Sequence, residues 1–183
     1  MTGGSLTAPS RVAMLWVEGP DAATFLHGLL SHDIAGMAPG DTRPALLLDE
    51  RGRIQADMRV VRDAADAFTL LMDPARADDV AATFARLHFS EDLDVLGPDE
   101  AAGVIVDDRG RVAGADLVVP GLVPGTWEAV GDAVTVADAS GDAGPDAWNA
   151  RRVAAGVPLV GTDTGDRTLV QEAGLEGSHV SFT

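Results

Sequence analysis

The order of hydrophobic segments predicts an α+β fold built on antiparallel sheet. The first half is expected to form a strand, a helix, a hairpin, a further strand and a second helix, and the second half mostly short strands. Alternating strand–helix–strand repeats are absent, and no segment recurs at a fixed period. The 183 residues suffice for one domain or two small lobes, and the 46% hydrophobic content is typical of a globular protein.

A strand and a helix are predicted near the start of the chain. The apolar run at residues 11–18 is typical of a buried strand, and Gly19 and Pro20 end it. Pro20 suits the first turn of a helix, where Asp21 adds negative charge at the positive end of the helix dipole. The apolar residues of this helix recur at helical spacing, namely Phe25, Leu26, Leu29 and Leu30.

The clearest pattern is a hairpin, with strands at residues 45–49 and 54–62 around a turn that contains Gly52. Strict alternation in the second strand divides its side chains between two faces. The apolar face is expected to hold Ile54, Ala56, Met58 and Val60. The polar face is expected to hold Gln55, Asp57 and Arg59.

The remaining elements follow from turn residues between apolar segments. A strand at residues 67–72 precedes a helix that begins at Pro74 and ends near His88. Four short strands are predicted in the second half, at residues 93–96, 103–106, 112–119 and 133–137. A final helix is expected at residues 146–155, and residues 180–182 are expected to begin another strand.

Composition excludes several kinds of chemistry within these residues. The formal net charge of -16 disfavours direct contact with nucleic acid or anionic membranes. The sequence contains neither Lys nor Cys, so Schiff-base lysines, catalytic thiolates and cysteine metal ligands are ruled out. No signal peptide or run of membrane-spanning length is recognisable, and we expect a cytoplasmic protein.

Two carboxylates are candidate functional groups, each with an alternative explanation. Asp57 either lines a cavity as an acid, base or hydrogen-bond acceptor, or lies on a solvated sheet face in a weak ion pair. Glu172 has apolar neighbours and could accept two parallel hydrogen bonds from a guanidine-like edge such as that of a pterin. It could equally be a turn glutamate in water.

The other polar residues give weaker indications. His27 and His32 are five positions apart and would lie on different helix faces, so we predict no metal site. Four arginines cluster on the hairpin, namely Arg51, Arg53, Arg59 and Arg62. They could attract an anionic ligand tail such as polyglutamate, or simply neutralise the acidic residues around them.

Four segments together resemble the folate-binding YgfZ family, whose relatives include the glycine-cleavage T-protein, an aminomethyltransferase. They are residues 19–34 (GPDAATFLHGLLSHDI), 45–57 (ALLLDERGRIQAD), 148–158 (WNARRVAAGVP) and 170–176 (VQEAGLE) with 180–183 (VSFT). The order and spacing of these segments are similar to those of the family over nearly the whole chain. In that family the last segment runs directly into a Lys-Gly-Cys-Tyr-x-Gly-Gln-Glu signature, so we expect this chain to be truncated just before it.

The resemblance implies a fold and a ligand. It implies two ferredoxin-like lobes around a central cavity that holds tetrahydrofolate or a one-carbon derivative. We expect a disordered tail at residues 1–10, a first lobe at 11–92 and an incomplete second lobe at 93–183. Glu172 would bind the pterin, Asp57 would lie near the reactive folate nitrogens as the catalytic candidate, and Arg59 would be a third folate contact.

The resemblance also implies three functions that remain open. A YgfZ-type folate-binding protein would help to maintain iron–sulfur client proteins and, through them, tRNA modification. A T-protein-like chain would transfer an aminomethyl group to tetrahydrofolate. A degenerate fragment would be a non-catalytic interaction module without a ligand.

Overall fold

The computed structural model describes residues 6–137 and 144–182. The strands are β1 (Thr7–Glu18), β2 (Thr42–Leu48), β3 (Ile54–Ala64), β4 (Ala67–Met72), β5 (Asp94–Val106), β6 (Val112–Ala113), β7 (Leu117–Pro120), β8 (Trp127–Val130) and β9 (Thr135–Val136). The helices are α1 (Ala22–Leu29), α2 (Pro74–Leu87), α3 (Pro145–Ala154) and α4 (Glu176–His179). None of these helices is long and apolar enough to span a membrane.

Seven strands form an antiparallel sheet in the order β2-β3-β4-β1-β5-β8-β7, and β6 pairs with β9. The predicted α+β class and antiparallel sheet are therefore confirmed. Contacts divide the chain into two compact units, each made from two segments. The first, called here the hairpin unit, comprises residues 13–100 and 159–183, and the second comprises residues 1–12 and 101–158.

This grouping differs from the predicted lobes 11–92 and 93–183, because residues 159–183 belong to the hairpin unit together with β2 and β3. The predicted tail also differs, since residues 7–10 lie in β1 while residues 1–5 fall outside the described part. The ferredoxin-like description of the lobes stays a prediction.

The first half of the prediction agrees closely with the structure, whereas the second half needs correction. The two strands predicted at 93–96 and 103–106 are one strand, β5. The strand predicted at 112–119 is interrupted at Gly114, whose φ is +72° and where a Cβ would lie 2.4 Å from the Ala133 carbonyl oxygen. The four-residue strand β8 was not predicted, and residues 180–182 do not form a strand.

One face of the hairpin unit's sheet is covered by α1 and α2. The rings of Phe25 and Phe84 meet edge to face, with centroids 5.7 Å apart, above buried residues of β1, β3 and β4. Asp73 caps α2, because its side chain accepts a hydrogen bond from the Ala75 N–H, and Pro74 occupies the first turn. This apolar layer fixes β3, the strand that carries Asp57.

The C-terminal segment, residues 159–182, packs on a second cluster. Leu46 of β2 and Ile54 of β3 are buried there against Val170 and Leu175. This packing places the end of the chain beside the β2–β3 hairpin. It also explains why the hairpin unit needs two segments that are distant in sequence.

A β-bulge at Gln55 changes the expected alternation in β3. Leu47 pairs with Ala56 and Leu48 pairs with Ile54, so Gln55 is the extra residue between two successive pairs. Ile54 consequently joins the cluster under the C-terminal segment, while Gln55 lines a cleft of about 870 Å³ with residues of α1 and α2. The predicted faces of Ile54 and Gln55 were therefore wrong, and the alternation holds from Ala56 onward.

Candidate ligand-binding site

Asp57 is the fourth residue of β3 and pairs with Leu46 of β2. Paired residues of antiparallel strands share a face, and Leu46 is buried beneath the C-terminal segment. The Asp57 side chain is only 13% exposed, so it does not lie on a solvated sheet face. Burial raises the pKa of this carboxyl to about 6; the nearby Arg59 charge acts in the opposite direction, and Asp73 adds to the rise.

His179, at the end of α4, lies beside Asp57. Its Nε2 atom lies 3.8 Å from Asp57 Oδ1, and its side chain is 8% exposed. Burial, with a smaller contribution from His32, lowers the pKa of His179 to about 4. The imidazole of His179 is therefore neutral at physiological pH, whereas the carboxyl of Asp57 has a pKa close to physiological pH.

Ser31 links the two sides of this site. Its backbone N–H donates to the Leu46 carbonyl oxygen over 3.0 Å, and its Oγ accepts a hydrogen bond from the Leu46 N–H over 2.9 Å. The same hydroxyl donates to the His179 carbonyl oxygen, and the Ser181 N–H donates to the Ser31 carbonyl oxygen over 2.9 Å. One serine therefore holds both the residue that pairs with Asp57 and the backbone of His179.

The other two predicted site residues lie in different surroundings. Arg59 follows Asp57 by two positions on β3 and is buried, with 6% exposure. Glu172 is exposed in a turn of the C-terminal segment, where its Oε2 accepts a hydrogen bond from the Leu169 N–H over 2.9 Å. A carboxylate has about four acceptor positions, so this bond leaves capacity for a ligand. The predicted folate contacts of both residues stay predictions.

Three of the hairpin arginines take part in contacts that stabilise the hairpin unit. The guanidinium of Arg62 donates to the Met37 carbonyl oxygen over 2.5 Å and stacks over Phe68, with 5.2 Å between its central carbon and the ring centroid. The backbone N–H groups of Arg51 and Arg53 both donate to Asp49, which closes the hairpin turn. Arg62 therefore has a structural role, since its guanidinium contacts Met37 and Phe68.

Sequence reasoning missed His179 and Ser31 as members of this site. Their contact joins residues 148 positions apart. A Ser and a His at that separation carry no periodic or motif signal. Only the packing of the C-terminal segment on the hairpin brings them together.

These features define the class of protein as an α+β domain in which a buried carboxylate of an antiparallel sheet lies under the C-terminal segment. Comparison with known proteins makes the family specific. The family described as the GCVT N-terminal domain matches residues 3–105, more than half of the chain, and the chain belongs to it. The match includes Ser31, Asp57 and Arg59, whereas Glu172 and His179 lie beyond it.

Individual relatives agree with this family. Two proteins from strains of Halobacterium salinarum, each described as a probable aminomethyltransferase, are 29% identical to the chain over 114 residues, 62% of this chain and 31% of theirs. The crystal structure of glycine cleavage system aminomethyltransferase T from Bartonella henselae superposes with a TM-score of 0.52 at 25% identity. It covers 57% of this chain and 29% of that one. The chain thus spans about a third of the length of these curated relatives.

Proposed function

We propose that this chain is a tetrahydrofolate-binding domain of the YgfZ type. The observation that carries the proposal is Asp57, a buried carboxylate of β3 that lies 3.8 Å from His179 and whose pKa is raised to about 6. A carboxyl with such a pKa can hold or release a proton under physiological conditions. That property suits a group beside the reactive nitrogens of a reduced folate.

Glu172 is the proposed pterin contact. The amino-pyrimidinone edge of a pterin offers two parallel N–H donors, and a carboxylate is the matching bidentate acceptor. Glu172 is exposed and held in its turn by the Leu169 N–H. Its place in the same segment as His179 supports a ligand that reaches from Glu172 to Asp57, with the buried Arg59 balancing the charge of Asp57.

The YgfZ branch is supported by the hairpin segment at residues 45–57 and by residues 180–183. A protein of this branch would act in the maintenance of iron–sulfur client proteins. Its effect on tRNA modification would be indirect, because a net charge of -16 repels a phosphate backbone.

A second candidate is aminomethyl transfer to tetrahydrofolate. It is favoured by the relatives described as probable aminomethyltransferases and as a glycine cleavage aminomethyltransferase. The discriminating measurement is the release of formaldehyde or the formation of methylenetetrahydrofolate from an aminomethyl donor. Turnover that disappears in Asp57→Asn would favour the transferase, whereas folate binding without turnover would favour the YgfZ-type role.

The primary test is a calorimetric titration of the chain with tetrahydrofolate under anaerobic conditions. Because Glu172→Gln replaces a charged bidentate acceptor, we expect its Kd to rise roughly 10- to 100-fold. Glu176→Gln is the matched control, since Glu176 is another exposed glutamate of the same segment, and its Kd should stay within about twofold of the wild-type value.

The outcomes distinguish the remaining explanations. Equal affinity in the wild-type chain and Glu172→Gln would show that the pterin lies elsewhere. A folded wild-type chain that binds no tetrahydrofolate would contradict the proposal and favour a non-catalytic interaction module.

A further inference from the structure

Two adjoining clefts lie on the side of the sheet that α1 and α2 cover. The larger, of about 870 Å³, is bounded by α1, α2 and the β2–β3 hairpin. The smaller, of about 420 Å³, is bounded by α1, the end of α2 and the loop that follows it. The clefts share Gly28, Leu29 and Leu87 and therefore form one groove, which lies within the hairpin unit. None of the described residues that line it is a proposed folate contact.

Each of the two helices turns one face to this groove. Lining residues recur at spacings of three and four along both helices, from Thr24 to Leu29 of α1 and from Arg76 to Leu87 of α2. The stripe on α2 is about 16 Å long at about 1.5 Å per residue, which is about three helical turns. A groove of this length between two helices has the shape that accepts a third helix.

Gly28 is the penultimate residue of α1 and lies where the two clefts meet. Glycine is a poorer helix former than alanine, and Gly28 does not adopt the left-handed backbone conformation that would favour it. A Cβ at this position would have nothing within 4 Å. Neither the backbone nor the packing of the described residues requires a glycine here, whereas a partner that approaches α1 closely does.

Phe89 belongs to the loop after α2 and is 82% exposed. Leu87 and Glu91, two positions away on either side, both line the smaller cleft. The Glu91 carboxylate accepts hydrogen bonds from the N–H groups of Phe89 and Ser90, over 2.8 and 2.9 Å, and so holds this loop. An exposed aromatic ring at the end of a groove is typical of a residue that contacts a partner.

The groove combines an apolar floor, which includes Leu29, Leu48 and Val80, with acidic edges. Among the described lining residues, there are five carboxylates and two guanidinium groups. One of the guanidinium groups, that of Arg76, lies 3.8 Å from Asp166. The carboxylates belong to Asp21, Asp49, Glu50, Asp79 and Glu91. The complementary surface is therefore an apolar stripe flanked by positive charges.

We propose that this groove is the docking site for a basic amphipathic helix of a partner protein. The apolar face of that helix packs on Leu29 and Leu87, and its backbone approaches α1 at Gly28. Its arginine or lysine side chains reach the exposed carboxylates of Glu50 and Asp79. Such a helix presents apolar residues at the i, i+3, i+4 and i+7 positions and positive charges beside them.

Binding of a designed peptide tests this groove directly. The probe is a fluorescein-labelled helix of about 12 residues, with leucine at positions i, i+3, i+4 and i+7 and arginine on both sides of that stripe. Fluorescence anisotropy in about 150 mM NaCl, where long-range attraction is screened, should give a Kd of roughly 1–100 μM. A peptide with alanine in place of leucine and one with glutamate in place of arginine should each bind at least about tenfold more weakly.

Substitutions in the groove should weaken binding without harming the fold. Gly28→Met places a side chain in the open space between the clefts, so the Kd should rise at least about tenfold. Its Tm should stay equal or rise, because methionine is the better helix former. Asp79→Asn removes a charge and Phe89→Ser removes the exposed ring, and each should raise the Kd roughly three- to tenfold.

Gly177→Met is the matched control. Gly177 lies in α4 of the same unit, also has open space at its Cβ position and lines neither cleft. The Kd of this variant should stay within about twofold of the wild-type value.

Several results would overturn the proposal. They include no binding of the leucine–arginine peptide by the wild-type chain and an equal Kd in Gly28→Met. Equal affinity for the alanine peptide would show attraction by net charge alone. A lowered Tm in Gly28→Met would mean that the space beside α1 is already filled. The test needs no folate, so its result is separate from that of the proposed function.

Discussion

Asp57 shows how far a single residue could be interpreted from the sequence. Its type and its position in a strand were evident, but the local pattern was compatible with a cavity and favoured a solvated face. The cover over Asp57 comes from the C-terminal segment, which includes His179. Burial that arises from a distant segment leaves no trace in the residues around the carboxylate, so only the structure decides between the alternatives.

Opposing pH dependences are predicted for the two partners at this site. The pKa of Asp57 is raised by burial from 3.8 to about 6, so its contribution to stability is complete at low pH and is lost as the pH rises. The pKa of His179 is lowered by burial from 6.5 to about 4, so its contribution is complete at high pH and is lost as the pH falls. The two contributions largely cancel in the wild-type chain.

Substitution should reveal each contribution separately. Between pH 6.5 and pH 4, the free energy of unfolding of Asp57→Asn should fall about 3 kcal/mol more than that of the wild-type chain. That of His179→Gln should rise about 3 kcal/mol relative to wild type over the same range. Urea denaturation at several pH values measures both. Parallel curves for the three proteins would show that neither group is as buried as described.

At the scale of secondary structure, the sequence predicted the elements whose pattern is local. The strand at 67–72 was predicted with its observed bounds, and the helix after Asp73 was predicted to within a residue or so. The bulge at Gln55 was not predicted, because Gln in a polar–apolar alternation fits a regular strand equally well. Side-chain faces near a bulge depend on the partner strand, which a single segment does not encode.

Ser31 is predicted to be the main polar link between the C-terminal segment and β2. Ser31→Ala removes the acceptor of the Leu46 N–H and the donor to the His179 carbonyl oxygen. We expect a loss of about 1–3 kcal/mol in the free energy of unfolding. Hydrogen exchange at the Leu46 and Ser181 amides should accelerate as well. Ser90→Ala, at an exposed serine of the same unit, should change stability by less than about 0.5 kcal/mol.

An unchanged exchange rate at Leu46 in Ser31→Ala would show that the hydroxyl is not the partner that protects this amide. A similar loss of stability in Ser90→Ala would instead indicate a general effect of serine removal.

At the scale of the whole chain, charge is the dominant property that the sequence alone provides. There are 29 acidic residues and 13 arginines, so like charges repel on average in the folded state. Raising the NaCl concentration from about 10 to 150 mM shortens the screening length from about 30 to 8 Å. We expect Tm to rise by several degrees, as measured by calorimetry.

Tetramethylammonium chloride at the same ionic strength should raise Tm equally, because screening does not depend on the cation. A rise with Na⁺ alone would point to specific cation binding. A Tm independent of salt would mean that the charges are spaced too widely to repel.

The division into units is the part of the architecture that the sequence could not predict. Antiparallel sheet and the order of elements follow from local patterns and turn residues. The membership of residues 159–183 in the hairpin unit depends instead on the fit of Val170 and Leu175 against Leu46 and Ile54. Such complementarity is a property of surfaces, so a boundary drawn along the chain at residue 93 separated residues that pack together.

The bulge at Gln55 determines the face of the sheet on which Asp57 lies, because successive residues of a strand alternate between the two faces. In a regular strand, residues three apart point to opposite sides, yet Ile54 and the Asp57 position lie beneath the same C-terminal segment. The extra residue, Gln55, therefore allows Ile54, next to the turn, and Asp57 to face the same C-terminal segment. Loss or gain of one residue between Gly52 and Asp57 would therefore turn the Asp57 side chain to the opposite face of the sheet. A substitution in this stretch leaves the number of residues, and hence the face, unchanged. Insertions and deletions, rather than replacements, are the changes that this hairpin tolerates least.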